Sequence, residues 1–116
     1  MPGATVSLAD APEGAAGELD RVPDDVRRFC EREGVLTGLR SALALADRHL
    51  PLVRAPRIDV LRDPESSEEW AFIRLYVPRD LGDDELFRMY DTYTDAWLDV
   101  APRRARDVIR ASLRRA

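Results

Sequence analysis

Trp70-Ala71-Phe72-Ile73-Arg74-Leu75-Tyr76-Val77 is the stretch that decides the fold class. Ala71, Ile73, Leu75 and Val77 alternate with Trp70, Phe72, Arg74 and Tyr76, the two-residue repeat of a strand that turns one apolar face to a core. Upstream, Ile58 and Val60 alternate around Asp59 in the same way. Between the two runs lies Asp63-Pro64-Glu65-Ser66-Ser67-Glu68. Proline is preset for the second position of a turn and aspartate can bond the backbone beyond it, so the two runs are expected to form a β-hairpin. Pro78 ends its second strand.

Away from the hairpin the period changes to that of helices. A first helix is expected from near Pro23-Asp24-Asp25, capped by an aspartate, to Gly34, which can take the left-handed conformation beyond a helix end. Val26, Phe29 and Cys30 make its buried face. Thr37 is expected to cap a second helix, whose Leu36, Leu39, Leu43, Ala46 and Leu50 form an apolar stripe that Pro51 stops. Asp83 is expected to cap a third helix running to about Val100, with Leu86, Met89, Tyr90, Tyr93, Trp97 and Val100 on one arc facing the core.

The C-terminal segment supports two readings. Ala105, Val108, Ile109 and Leu113 suit an arginine-coated helix, whereas Ile109, Ala111 and Leu113 alternating with Arg110 and Ser112 suit a strand. A two-stranded hairpin is marginal alone, which favours a third strand over 108–113. The expected fold class is α+β: two N-terminal helices, a β-hairpin, a long third helix and a C-terminal strand, in a small antiparallel or mixed sheet packed on helices.

Composition sets the outer limits. Of the 116 residues 45% are hydrophobic, enough for one modest core. Residues 1–21 are rich in Ala, Gly, Pro and acids without a period and are expected to be a disordered tail, with residues 22–116 as a single domain. Asp10, Glu13, Glu18 and Asp20 stand where a secretory segment would be apolar, and no stretch approaches the length of a membrane span, so a cytoplasmic protein is expected. Cys30 is the one cysteine, which excludes an internal disulfide and a cysteine metal cluster.

The net charge of −4 is unevenly spread: residues 101–116 carry six arginines against Asp107 alone. All 18 basic residues are arginine and the chain has no Lys, Asn or Gln, which points to a GC-rich genome and lowers the value of arginine as a sign of phosphate recognition.

Two groups of residues stand out as candidate partner surfaces. Asp91, Asp95 and Asp99, spaced by four, line up on one face of the third helix as a solvated row, a cation site or an acidic docking strip. Phe87 and Leu98 flank that row outside the apolar arc. Trp70, Phe72 and Tyr76 share the strand face that the core residues leave unused, and they are either a second buried layer or an exposed patch for a partner. Arg103, Arg104, Arg106, Arg110, Arg114 and Arg115 could instead track a nucleic-acid backbone, although no aromatic residue lies between Pro102 and Ala116 to stack on bases.

A catalytic reading is poorly supplied. His49, the one histidine, sits near the end of the second helix, and with Asp91, Asp95 and Tyr90 it would have to converge in a pocket. No phosphate-cradling glycine loop, nucleophile elbow or His-rich metal spacing is present. No catalytic residue, metal or cofactor is expected.

From Gly34 to Leu113 the chain resembles a loose group of small bacterial proteins without assigned function. Phe29-Cys30-Glu31 before a Leu/Ala-rich helix, the Asp63-Pro64-Glu65 turn followed by Glu68-Glu69-Trp70, Tyr90-Asp91 and Trp97 on a helix, and Pro102 before Ile109-Arg110 carry the likeness. The resemblance implies association with a neighbouring toxin or nuclease and a strand at Ile109-Arg110; it brings no catalytic motif and no residue role. The leading expectation is a non-catalytic protein-binding or regulatory subunit, antitoxin-like or the accessory of another protein, or one that self-associates. The alternative is a nucleic-acid-binding protein that uses the C-terminal arginines.

Overall fold

The structure is a computed structural model that describes residues 22–116; the tail expected over 1–21 lies outside the described residues. The chain order is α1 (Asp24–Glu33), α2 (Leu36–His49), β1 (Arg57–Arg62), β2 (Glu69–Val77), α3 (Asp83–Val100), α4 (Arg103–Val108) and β3 (Ile109–Arg115). The fold is α+β, with a three-stranded mixed sheet in the order β1-β2-β3.

The hairpin forms as its alternation demands. β1 and β2 pair antiparallel with Ile58 opposite Ile73 and Val60 opposite Ala71. At the turn Asp63 accepts the Glu65 amide at 2.9 Å and the Ser66 hydroxyl at 3.1 Å. These bonds stabilise the carboxylate and lower the pKa of Asp63, the Glu65 amide most of all.

The C-terminal segment is helix and strand in succession, because its period changes within the run. Ala105 and Val108 are buried at helical spacing in α4; Ile109, Ala111 and Leu113 then alternate in β3. β3 lies parallel to β2, with Ala71 opposite Ile109 and Leu75 opposite Leu113. Parallel neighbours need a crossover, and α3 with α4 supplies it.

Helix starts depart from the expected caps. Pro23, Val35 and Gly82 occupy the N-cap positions of α1, α2 and α3, none with a side-chain capping bond. Thr37 lies inside α2 rather than capping it, and Asp24, Asp25 and Asp83 lie in first turns, where their charge meets the positive end of the helix dipole. Gly34 takes the left-handed conformation at φ 72°, and the Val35 amide then bonds the Cys30 carbonyl at 2.8 Å.

The core fills the space between the sheet and the helices. Ile58, Ala71, Ile73, Leu75 and Ile109 from the strands meet Val26, Phe29, Leu39, Leu43 and Ala46 from α1 and α2. α2 and α4 meet closely at Gly38, where a Cβ would stand 2.6 Å from the Ala105 Cβ.

α3 is more weakly buried than its apolar arc suggests. Tyr93 is its one fully buried residue, and Val100, expected on the core arc, is 58% exposed. Two bonds tie α3 to α2: Tyr93 Oη donates to the Ala42 carbonyl at 3.1 Å, and Trp97 Nε1 to the Gly38 carbonyl at 3.0 Å. Arg106 closes its C-terminus by donating to the Leu98 and Ala101 carbonyls. No helix among the described residues is long and apolar enough to cross a membrane.

Candidate docking surface

All the helices pack against one face of the sheet. The register puts Leu61 and Trp70 side by side on the other face, then Asp59, Phe72 and Arg110, then Arg57, Arg74 and Ser112, and finally Tyr76 beside Arg114. Trp70, Phe72 and Tyr76 are half-buried there, while Ala71, Ile73, Leu75 and Val77 on the helix side are fully buried. A second buried layer is thus absent among the described residues, and what partly shields the rings is arginine.

Each ring carries a guanidinium. Arg110 of β3 lies over Trp70 with its guanidinium carbon 4.3 Å from the ring centroid, Arg74 over Phe72 at 5.1 Å, and Arg54 over Tyr76 at 4.9 Å. All three distances fall within the range where a cation is drawn to the negative face of an aromatic ring. The strand pairing delivers Arg110 from one side, since it sits opposite Phe72 and diagonal to Trp70. Arg54 comes from the other side, in the segment before β1 whose Val53 amide donates to the Tyr76 carbonyl at 2.9 Å.

The charges on this face are unequally satisfied. Asp59 accepts from Arg74 at 2.7 Å and lies 3.4 Å from Arg57. Arg54, Arg110 and Arg114 have no carboxylate partner among the described residues. Five arginines against one aspartate give the face a net charge of +4, on a chain whose overall charge is −4.

The C-terminal arginines do not act as one strip. Arg104 pairs with Glu33, Arg115 with Asp83, and Arg106 with the carbonyls at the end of α3. Arg103 is exposed on α4, so Arg110 and Arg114 are the two members of the cluster that join the aromatic face.

The residues singled out on α3 border β3: Leu98 lines one cleft with Arg110, and Phe87 another with Ser112. Phe87 is 66% and Leu98 38% exposed, and Asp91, Asp95 and Asp99 are exposed along the same helix. Between α3 and the free edge of β3 runs an apolar cleft of about 240 Å³, lined by Ile73, Tyr93, Trp97, Leu98, Ile109 and Ala111 among others. Tyr90 Oη crosses it to donate to the Ala111 carbonyl at 3.3 Å. No three His, Cys, Asp or Glu side chains among the described residues gather as a metal requires, the aspartate row included.

His49 borders a shallow depression with Glu85, Arg88, Met89 and Thr92 of α3, which neither Asp91 nor Asp95 lines. Cys30 is fully buried, and loss of solvation, reinforced by Glu33, pushes its thiol up to about 11, which keeps it protonated and unreactive.

The pairing of arginines with aromatics was not visible in the sequence, where Arg54 and Arg110 stand far from the rings they cover. Only the parallel register of β3 brings Arg110 to Trp70. Compared with protein families, curated proteins and solved structures, the chain finds no match.

Proposed function

We propose that this protein is a non-catalytic binding subunit, a neutralising or regulatory partner of another protein, that docks through the open face of its sheet. The observation that carries this reading is the file of Trp70, Phe72 and Tyr76 on a face that no helix covers, each ring topped by arginine. Tryptophan, tyrosine and arginine are the residue types that dominate binding energy at protein interfaces, and a half-buried aromatic file supplies large contact area at low entropic cost. The exposed apolar residues of α3 offer a second, smaller contact. Co-expression with the product of the adjacent gene, followed by size-exclusion chromatography with light scattering, tests the reading. It predicts a stoichiometric complex. Emergence of the chain alone as a monomer contradicts it, and a homo-oligomer assigns the surface to self-association.

Nucleic-acid binding is the second reading, favoured by one observation: Arg110 and Arg114 share the face of the aromatic side chains. A gel-shift series across salt concentration addresses it, since affinity carried by phosphate contacts falls steeply with salt.

A further inference from the structure

We infer that the open sheet face is a receptor for carboxylates, and that its occupant is an acidic surface of a partner protein. This rests on the binding-subunit reading and adds the chemistry of the partner.

Guanidinium groups stacked on rings lose rotational freedom but keep their in-plane N–H donors, which match a carboxylate in a two-pronged arrangement. Arg110 over Trp70 and Arg54 over Tyr76 are held in this way, and neither has an anionic partner among the described residues. Trp70 and Tyr76 are six residues apart on one strand, so the two forks stand roughly 20 Å apart. Arg114, beside Tyr76, adds a third unpaired cation. The two arginines in the middle, Arg74 and Arg57, share the one carboxylate of Asp59. Three of the four net positive charges of the face therefore stand at its two ends, with one left in the middle beside Phe72, a pattern that complements an acidic patch on a partner.

Two features favour protein over nucleic acid as the occupant. Base stacking needs open ring faces, and here guanidinium groups already lie over all three rings. A polyanion longer than the face would also meet the field of a chain of net charge −4, whereas a compact acidic patch meets the positive face alone.

The test is a titration of the whole chain with a short oligoglutamate peptide and, separately, a thymidine oligonucleotide of matched charge, followed by NMR of the arginine Nε–H and tryptophan indole N–H signals. Oligoglutamate is expected to shift Arg54, Arg110 and Trp70, with affinity about tenfold weaker in the R54Q/R110Q variant and unchanged in R40Q, which alters an exposed arginine of α2. Circular dichroism of each variant establishes that the fold is retained. Tighter binding of the oligonucleotide than of the peptide would overturn the inference in favour of nucleic acid. Silence of these signals with both probes would overturn it outright. A complex that forms on co-expression yet is indifferent to R54Q/R110Q would sink this inference while leaving the binding-subunit reading intact.

Discussion

The Arg110 guanidinium lies 4.3 Å above the Trp70 ring, joining the last strand to the middle one on the side of the sheet that the helices leave open. Such a contact at a partly exposed site contributes roughly 0.5–1 kcal/mol. A double-mutant cycle of Trp70→Ala and Arg110→Ala in urea unfolding should return a coupling of about that size. Because neither side chain is part of the core, each single variant should remain folded. A coupling near zero would mean that the two do not meet in solution.

Gly38 and Ala105 set the distance between α2 and α4. A Cβ at position 38 would lie 2.6 Å from the Ala105 Cβ, closer than two methyl groups can approach. Gly38→Ala gains helix propensity of about 1 kcal/mol but overpacks the contact, and a net loss of roughly 1–2 kcal/mol is expected. Moving the methyl across the interface in the Gly38→Ala, Ala105→Gly double variant should recover part of that loss. Chemical denaturation of the three variants measures it.

Two buried groups make the protein sensitive to alkali. Burial, with Glu33 adding to it, raises Cys30 from 9.0 to about 11. Burial, with Tyr90 adding to it, raises the phenol of Tyr93 well above its ordinary value of 10.0. Both are thus held protonated in the folded chain at a pH where the unfolded chain releases the proton. Their contribution is complete below the unfolded values and is lost as pH rises through and beyond them. Stability should therefore fall above pH 9, with a slope approaching about 1.4 kcal/mol per pH unit for each group. Urea midpoints between pH 8 and 11 test this, and Cys30 should react with a thiol reagent only as the chain unfolds.

Asp91, Asp95 and Asp99 repel one another along α3, and Asp99 lies in its last turn, where a negative charge opposes the helix dipole. Replacing all three by asparagine should leave the melting temperature of the isolated protein unchanged or slightly higher, because each relieved like-charge pair is worth about 0.2–0.5 kcal/mol against asparagine's modest helix propensity. A large loss of stability would show that the row makes internal contacts of its own.

What could be read from the sequence and what could not have separate physical origins. The hairpin was legible because Ala71, Ile73, Leu75 and Val77 repeat every two residues and Asp63-Pro64 carries its own turn chemistry. The helix starts were misjudged because aspartates in a first turn and an aspartate at the cap look alike in sequence, although one acts on the dipole and the other on a single amide. Residues 103–115 defied a single assignment because the period switches from helix to strand between Val108 and Ile109, too short a span on either side for periodicity to resolve. Trp70, Phe72 and Tyr76 could be placed on one face, but whether helices covered it depended on crossover topology. The partner of Arg110 depended on a strand register that pairs residues nearly forty positions apart, and that of Arg54 on how the segment before β1 docks beside Tyr76.

The central claim is that the open sheet face, rather than α3, receives the partner. Hydroxyl-radical footprinting of the co-expressed complex against the isolated chain reads this directly, because aromatic side chains oxidise in proportion to their exposure. The account predicts that Trp70, Phe72 and Tyr76 become protected in the complex by more than Phe87 and Leu98. Unchanged oxidation of Trp70, Phe72 and Tyr76 alongside protection of Phe87 and Leu98 would contradict it.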